Sequence, residues 1–308
     1  MPRKVKLIFN STADRSQAWR IANDLRPLVA RYGRADWSGT VYPSHATELA
    51  RQAGEDGYDM VIAIGGDGTV HEVVNGLMQV PEDKRPILGI VPVGSGNDFA
   101  HFIGLSDKPD IALQYALQGE ARPVDLVLFS DETGRQEYFD NTLGIGFDAV
   151  VTIRSHKLPV VRGFLMYLTA VIQTIITNFN PMQLHVETDS ETWDQSTLML
   201  ALCNGPREGG GFLVAPQARN DDGLLEYASI CKVSRLMMFR LLPEVMKGTH
   251  GRFKQVRMGT FHKMTLSSDR ALYIHADGEI YTGFSTDIHK LSIELVPGAL
   301  QVIRVASQ

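Results

Sequence analysis

The sequence is poor in cysteine, and its N-terminus lacks the long apolar core of a signal peptide. Cys203 and Cys231 are the only cysteines, and their spacing suggests neither a metal site nor a disulfide framework. The first residues, Met1 to Phe9, run directly into a short apolar strand. We therefore expect a reducing, cytoplasmic location for the protein.

An excess of positive charge is also absent. The chain has 30 lysines and arginines against 35 aspartates and glutamates, which gives a net charge of −5. This balance argues against a general nucleic-acid binder and against tight docking on anionic lipid by overall charge alone. No internal repeat or low-complexity linker interrupts the 308 residues, which suffice for two domains.

The most informative stretch is a glycine-rich loop between a strand and a helix. Strand Met60–Ile64 leads into residues 65–69, which read Gly-Gly-Asp-Gly-Thr, and Thr69 and Glu72 predict a helix N-cap with a capping box. Backbone N–H groups at such a helix start favour a bound phosphate. Asp67 beside a phosphate needs a cation between them, so the loop indicates a metal–nucleotide complex. The alternative is a tight turn that only joins strand to helix. The glycine spacing differs from both the P-loop and the Rossmann fingerprint.

Residues 1–123 alternate between strands and helices, which predicts a mainly parallel sheet with helices on both faces. Ligands of such sheets bind beyond the carboxyl ends of the strands, where Asn10, Ser11 and Thr12 follow the first strand. The predicted strands are Val5–Phe9, Met60–Ile64 and Ile87–Val91, and the predicted helices are Ser16–Tyr32, Ala46–Ala53, Val70–Met78 and Ile111–Leu117.

From residue 124 to about 294, strand-like runs dominate and predict a second, mainly antiparallel β-sandwich domain. Lys290–Val305 is predicted as a further strand pair, and residues 295–308 could complete the first domain. The other predicted strands are Asp125–Phe129, Glu137–Leu143, Gln183–Thr188, Leu198–Leu202, Leu224–Ile230, Met264–Leu266 and Leu272–His275, and the predicted helices are Phe164–Thr177 and Ser234–Lys247.

The stretch Leu158–Asn178 is apolar enough to raise the question of a membrane contact. Pro159, Arg162, Gly163 and Gln173 interrupt it, so it lacks the unbroken length that a spanning helix needs. We expect a helix packed on its own domain, with weak and reversible contact with a lipid surface as the alternative.

Three further clusters carry polar groups in loops. In Val91–Ala100, Ser95 and Asn97 can donate to phosphate or ribose, although the loop could also be a glycine turn capped by Asp98. Pro216–Leu225 suits either a hairpin start or a hard-cation site. Residues 275–279, His-Ala-Asp-Gly-Glu, contain a strong turn signal, and their carboxylates either act as a general base or lie at a solvated hairpin tip.

Together these clusters match the motifs of one family, both in their residues and in their order along the chain. The chain resembles the soluble diacylglycerol kinase catalytic-domain family, which includes bacterial lipid kinases and sphingosine and ceramide kinases. The resemblance covers nearly the whole chain. It is carried by Gly65–Gly76, Pro92–Ala100, Val124-Asp125, Asn141–Ala149, Asn204–Gly211, Ala215–Leu225 and Asp277-Gly278-Glu279.

The resemblance implies that the first domain binds ATP–Mg²⁺ and that the β domain presents a lipid. Asp67 would act through the catalytic Mg²⁺. The resemblance also implies a lipid substrate met in transient, peripheral contact with a membrane, and no nucleic acid. It allows a homodimer, which is common in similar enzymes, although no residue of the sequence indicates one. The implied nucleotide positions are Asn10, Ser11, Thr12, Thr40, Gly65, Gly66, Asp67, Gly68, Thr69, Val70, His71 and Ser95.

The resemblance also implies roles for carboxylates of the β domain. Glu279 would accept the proton of the lipid hydroxyl, with Asp277 and Asp125 as acidic neighbours near an interdomain cleft. A structural Mg²⁺ would be held by Asp222 and by the carbonyl groups of Arg219 and Leu224, and Asp221 would link this site to the cleft.

Three positions depart from the family pattern. Asn10-Ser11 stands where many members have Asn-Pro, Ser95 replaces a threonine, and Arg207-Glu208 stands where an aromatic residue is frequent. The sequence thus predicts phosphoryl transfer from ATP to a lipid hydroxyl of unknown identity. The alternatives are an NAD kinase, a phosphofructokinase, and a nucleotide- or lipid-binding regulator without catalysis.

Overall fold

The computed structural model describes residues 3–11, 17–158, 163–177 and 180–305. The chain divides into two compact units. The first comprises Met1–Val124 together with Gly298–Gln308, and the second comprises Asp125–Pro297.

The first unit contains a parallel sheet. Its strands are β1 (Val5–Phe9), β2 (Ala35–Gly39), β3 (Met60–Gly65) and β4 (Ile87–Pro92), in the spatial order β2-β1-β3-β4. The C-terminal part of the last strand joins beside β4, where Val302 pairs with Leu88. Every residue of β3 is buried, as expected for a central parallel strand covered on both faces.

The helices of the first unit cover this sheet. They are α1 (Gln17–Tyr32), α2 (His45–Glu55), α3 (Asp67–Leu77), α4 (Asp98–Phe102) and α5 (Pro109–Gln118). The capping box predicted before α3 is wrong, because Gly66 occupies the N-cap position and Thr69 lies inside the first turn. The Glu72 carboxylate instead accepts hydrogen bonds from the backbone N–H groups of Ser44 (2.9 Å) and Ala46 (3.0 Å) at the start of α2.

The second unit is mainly antiparallel, as predicted. Its strands are β5 (Ala121–Asp131), β6 (Gln136–Phe139), β7 (Thr142–Gly146), β8 (Met182–Thr188), β9 (Thr192–Cys203), β10 (Leu225–Cys231), β11 (Val256–Phe261), β12 (Lys263–Ser268), β13 (Ile274–Ala276), β14 (Glu279–Thr282) and β15 (Lys290–Ile303). They pair in the order β14-β13-β7-β9-β8-β12-β15. In addition, β9 pairs with β10, β10 pairs with β11, and β5 pairs with β6.

Strand β9 separates two hydrophobic cores in this unit. Leu200 and Leu202 face a core formed between strands, while Met199 and Ala201 face a core beneath three helices. Because both faces of β9 are buried, the sequence of its C-terminal end is a continuous apolar run and does not alternate between apolar and polar residues. The three helices are α6 (Phe147–Ser155), α7 (Gly163–Thr177) and α8 (Arg235–Met246).

Several element predictions for the second unit are corrected. Glu137–Leu143 is not one strand, because Asp140 and Asn141 separate β6 from β7. The predicted stretch Lys290–Val305 contains one long strand, Lys290–Ile303, rather than a strand pair. Helix α6 was not predicted because eight of its nine residues are buried, which removes the periodic polar face that marks a surface helix.

Within the described residues, no helix has the length and apolarity needed to cross a membrane. Helix α7, which holds most of the predicted apolar stretch, is 15 residues long. Most of the predicted apolar stretch therefore forms a helix of the second unit. Pro159, Arg162 and Asn178 lie outside the described residues.

Candidate active site

Polar groups converge at the carboxyl ends of β1 and β2 in the first unit. Ser11 Oγ donates to the backbone carbonyl of Thr40 at 2.6 Å, and Thr40 Oγ1 lies 3.5 Å from Asn10 Oδ1. The backbone continues the sheet at this edge, because Asn10 N donates to the carbonyl of Ile64. Three of the predicted nucleotide positions therefore form one cluster, whereas Thr12 lies outside the described residues.

The two glycine loops predicted from separate parts of the sequence meet in the structure. A Cβ atom on Gly66 would lie 3.0 Å from Gly94 Cα, and a Cβ atom on Gly94 would overlap Gly66 Cα. The second loop is closed by Asn97, whose amide group accepts from Gly94 N at 2.9 Å and donates to the Gly94 carbonyl at 3.0 Å. These glycines are required because only a residue without Cβ allows two backbones to approach so closely.

Asp67 lies where these loops meet and is the first residue of α3. Its Oδ1 accepts a long hydrogen bond from Phe99 N at 3.4 Å. A Cβ atom on Gly96 would lie 2.9 Å from Asp67 Oδ2, so the second loop leaves room for this carboxylate. Backbone N–H groups at a helix start together with a half-buried carboxylate fit a phosphate chain that carries a divalent cation.

The remaining predicted nucleotide residues differ in what they can present to a ligand. Gly65 ends β3, and Gly68 lies in the first turn of α3. The side chains of Thr69, Val70 and His71 are buried, so these residues can reach a ligand mainly through their backbone, whereas Ser95 is exposed.

In the second unit, Glu279 follows a two-residue hairpin turn between β13 and β14. Asp277 (φ 51°) and Gly278 (φ 82°) both have positive φ, as a type I′ turn requires. Asp277 is buried, and its carboxylate accepts from the backbone N–H groups of residues 140, 141 and 142 at 3.1, 2.9 and 3.0 Å. Asp277 therefore anchors the turn, and Glu279 is exposed beside it.

Asp125 is tied to the loop predicted to hold a structural cation. Its Oδ2 accepts from Gly223 N at 2.8 Å, and its backbone N donates to the Asn220 carbonyl at 2.7 Å. Within the loop, Asp221 binds the Arg219 guanidinium at 3.1 Å. The structure thus brings Asp125 together with residues 219–224.

The loop also contains an excess of negative charge. Asp222 Oδ1 accepts from Leu224 N at 3.1 Å. Burial and the charge of Asp222 raise the pKa of the nearby Glu226 to about 7. Glu226 Oε2 is buried without a hydrogen-bond partner in the described part of the chain. Two neighbouring carboxylates, one of which has a buried oxygen without a hydrogen-bond partner in the described residues, suit a hard divalent cation. Glu226 was not predicted as a site residue, because a single glutamate on a strand forms no recognisable pattern with its neighbours in the sequence.

A second buried polar cluster, Asp148, Glu208, His275 and Tyr167, was not predicted. The Tyr167 hydroxyl bonds to Asp148 Oδ1 at 3.0 Å and to Glu208 Oε1. His275 Nε2 lies 3.3 Å from Asp148 Oδ2 and 3.4 Å from Glu208 Oε1. Asp148, Glu208 and His275 each lie in a stretch that the sequence analysis singled out, but the four side chains come from distant segments and nothing in the sequence indicated that they meet.

The charged groups of this cluster shift one another's pKa values. Burial lowers the pKa of His275, but Glu208 and Asp148 outweigh it and raise that pKa to about 10. Burial and Asp148 raise the pKa of Glu208 to about 7. The 3.4 Å contact from Gly278 N to His275 Nδ1 would favour a neutral ring. One long hydrogen bond is weaker than two buried charge interactions, so we assign a protonated imidazole.

Two family models match the chain. The diacylglycerol kinase catalytic domain matches residues 4–129, and the YegS C-terminal NAD kinase beta sandwich-like domain matches residues 141–304. A protein of Chromohalobacter salexigens named "Probable lipid kinase YegS-like" is 37% identical over 256 residues, which cover 80% of this chain and 76% of the relative.

The chain belongs to the diacylglycerol kinase catalytic-domain family. It is therefore a phosphotransferase with an alcohol group as acceptor. The diacylglycerol kinase of Bacillus subtilis is 28% identical over 285 residues, which cover 90% of each chain. The crystal structure of a diacylglycerol kinase from Bacillus anthracis superposes with a TM-score of 0.73 at 19% identity, covering 99% of this chain and 98% of that one. The last likeness supports the fold alone.

Proposed function

We propose that this family member transfers the γ-phosphoryl group of ATP to the hydroxyl group of a lipid, with Mg²⁺ as the metal. The observation that carries the proposal is the meeting of two glycine loops at the start of α3, with Asp67 between them. Such loops hold phosphates through backbone N–H groups, and Asp67 supplies the charge that a phosphate-bound cation needs. Mg²⁺ would neutralise charge on the β and γ oxygens during transfer.

Glu279 is the residue that we propose as general base. It would accept the proton of the lipid hydroxyl while the hydroxyl oxygen bonds to the γ-phosphorus and the bond to the ADP oxygen breaks. A positioned base contributes roughly 10²–10⁴-fold to the rate. Asp277 is a positioning residue, because its three backbone hydrogen bonds hold the turn that presents Glu279.

The second unit also offers an apolar cavity for the acceptor lipid. This cavity has a volume of about 50 Å³ and is lined by apolar residues of α6, α7 and α8. Val171 and Ile175 of α7 face Met238 and Leu241 of α8 there. A cavity of this size admits only a few atoms, so an acyl chain would have to separate α7 from α8.

The outer faces of α7 and α8 support uptake of the lipid from a membrane. Leu165, Ile172 and Ile176 form an exposed stripe along α7, and Leu236 and Phe239 are exposed on α8. Helix α7 contains no charged residue, and exposed cations on α8 include Arg235 and Arg240. Apolar side chains flanked by cations suit an anionic lipid surface. We therefore propose peripheral, reversible docking through the α7–α8 face.

The test is transfer of labelled γ-phosphate from ATP–Mg²⁺ to lipids in mixed micelles. Wild type is compared with Glu279→Gln and with Glu187→Gln, which removes an exposed carboxylate from β8. We expect label in at least one lipid, loss of at least 100-fold in turnover for Glu279→Gln with intact ATP binding, and normal turnover for Glu187→Gln. Near-normal turnover of Glu279→Gln would exclude it as the base.

The same assay separates the alternative functions. NAD and fructose 6-phosphate are included as acceptors, and label in either instead of a lipid would favour another kinase. ATP binding without transfer to any acceptor would favour a regulator. The homodimer implied by the resemblance is a separate proposal, which sedimentation equilibrium of the purified protein tests.

A further inference from the structure

The turn that follows β2 carries two exposed apolar side chains beside the predicted nucleotide positions. Val41 and Tyr42 have relative exposures of 76% and 48%, and they come directly after Thr40. Thr40 is joined to the end of β1, because its carbonyl accepts from Ser11 Oγ at 2.6 Å. Exposed apolar side chains next to a cluster of polar groups suit a ligand that has an apolar part and a polar part.

The Tyr42 ring is held in place with one face open. His45 stacks on one face, with ring centroids 4.3 Å apart and an angle of 21° between the ring planes. The Tyr42 hydroxyl donates to Glu48 Oε2 at 2.7 Å, which fixes the far end of the ring. Because the side chain is still nearly half exposed with one face covered, its other face is open to a planar group.

The turn itself is fixed by contacts on both sides. His45 Nδ1 accepts from Val41 N at 3.2 Å, and His45 N donates to the Tyr42 carbonyl at 3.3 Å. Ser44 has a φ of 64°, and its N–H donates to the Glu72 carboxylate of α3 at 2.9 Å. A left-handed serine is a strained conformation that persists only where its surroundings impose it. The turn is therefore preorganised, and a ligand does not have to order it on binding.

The position of this turn relative to the glycine loops matches the layout of a nucleotide. The strands β2, β1, β3 and β4 are parallel and adjacent in that order, so the turn and the loops lie at the same edge of the sheet. Neighbouring strands are about 4.8 Å apart, which puts the end of β2 roughly 10 Å from the end of β3. Asn10 and Ser11 follow β1 and lie between them. A nucleoside triphosphate has the same order, because its ribose separates the base from the phosphates.

We propose that the base of bound ATP stacks on the open face of Tyr42, and that Val41, Tyr42 and His45 form a base platform in the first unit. The inference rests on the proposed kinase function, and it names the residues that bind the part of the nucleotide lying beyond the glycine loops. Aromatic side chains bind bases in this way because every base has a flat π face. Tyr42 determines affinity for the nucleotide and does not touch the reacting atoms.

The experiment measures equilibrium binding of two probes to the purified protein in the presence of Mg²⁺. One probe is ATP, and the other is tripolyphosphate, which has a phosphate chain without ribose or base. Tyr42→Ala should weaken ATP binding by roughly 5- to 150-fold, the range for the loss of one base–aromatic stack, and should leave tripolyphosphate binding unchanged. Tyr42→Phe keeps the ring and should bind ATP about as tightly as the wild type.

A matched control and a second readout separate stacking from a structural effect. Tyr115→Ala is the control, because Tyr115 is a 43% exposed tyrosine on α5 of the same unit. The second readout is the fluorescence of 2-aminopurine riboside triphosphate at saturating protein, since this base is quenched when it stacks on an aromatic ring. We expect quenching with the wild type, Tyr42→Phe and Tyr115→Ala, and much less with Tyr42→Ala.

Unchanged ATP affinity in Tyr42→Ala would overturn the inference. An equal loss of ATP and tripolyphosphate binding would overturn it as well, since that result indicates a structural role for Tyr42. Transfer of label from ATP to a lipid by the wild type, together with either result, would leave the lipid kinase function intact. Binding of neither probe to the wild type would overturn the proposed function and this inference together.

Discussion

The proposed phosphate site in the first unit and the buried polar cluster in the second unit are built in different ways. In the first unit, two short loops place their backbones against each other, and each loop is a contiguous motif of about five residues. In the second unit, Asp148, Tyr167, Glu208 and His275 come from four segments spread over more than a hundred residues. The first arrangement depends on close backbone contact, whereas the second depends on individual side chains.

Because of this difference, we expect substitutions in the two regions to affect different measured properties. Changes in the glycine loops of the first unit would alter ATP binding. Changes in the second unit would have other effects. Those in the polar cluster or at the hairpin anchor Asp277 would alter stability, and those on the α7–α8 face would alter membrane binding.

The largest effect is expected from Gly94→Ala. The new Cβ atom would overlap Gly66 Cα, and the backbones cannot move apart without opening the phosphate loop. Overpacking of this kind costs about 1–3 kcal/mol. If the ATP-bound conformation bears this cost, ATP affinity falls by roughly 5–150-fold. Equilibrium binding of ATP measures it. Gly283→Ala is the control, since a Cβ atom there meets nothing within 4 Å; unchanged ATP affinity in Gly94→Ala would contradict the proposed role of this contact.

Asp277→Asn should destabilise the second unit without changing ATP affinity. The buried carboxylate accepts three backbone N–H groups, and the amide replaces one acceptor oxygen with a donor. We expect a loss of about 1–3 kcal/mol in the free energy of unfolding. Urea denaturation at pH 7 measures it, with the exposed Asp287→Asn as control. Unaltered stability would show that these hydrogen bonds do not hold the hairpin.

Glu208→Gln should change how stability depends on pH. With its pKa raised to about 7, the native carboxyl group keeps a proton that the unfolded chain releases above about pH 4.5. The native state then binds more protons between these pH values, so wild-type stability falls as pH rises from about 4.5 to 7. The variant should lack this fall, which amounts to at most about 3 kcal/mol.

Denaturation curves at several pH values test this expectation. Glu191→Gln supplies the opposite sign, because hydrogen bonds from Tyr227 and Arg257 lower the pKa of Glu191. Its contribution to stability is present above the unfolded-state pKa and is lost as pH falls through the lower native value. Parallel pH profiles for wild type and Glu208→Gln would show that Glu208 titrates normally.

The smallest effect is expected from the outer faces of α7 and α8. Ile176→Glu and Leu236→Glu place a charge on side chains that are 57% and 80% exposed, so folding should be unaffected. Each should weaken binding to vesicles containing anionic lipid by about fivefold or more, because apolar contact is lost and negative charge is added. Tyr115→Glu, on an exposed position of α5, is the control. Equal vesicle binding by all variants would exclude this face as the docking surface.

Elements marked by a short pattern of neighbouring residues were predicted correctly from the sequence. Elements that depend on contacts with distant residues were not. The parallel strands β1, β3 and β4 and the turn at Asp277-Gly278 were predicted because short apolar runs and an Asp-Gly pair are local signals. Helix α6 was missed because it is buried nearly all round. The capping box at Thr69 was wrong because Glu72 found partners 26 and 28 residues away, at Ala46 and Ser44.

The sequence by itself determined the family, the alternation of elements in the first unit and the glycine loops, because these depend on neighbouring residues and on glycine's lack of a side chain. Only the tertiary structure decided that the two loops touch, that Asp277 anchors the turn, and that Asp148, Glu208 and His275 share one buried cluster. Such contacts join residues far apart in the chain. Their charge and hydrogen-bond states depend on burial, which is a property of the packed fold.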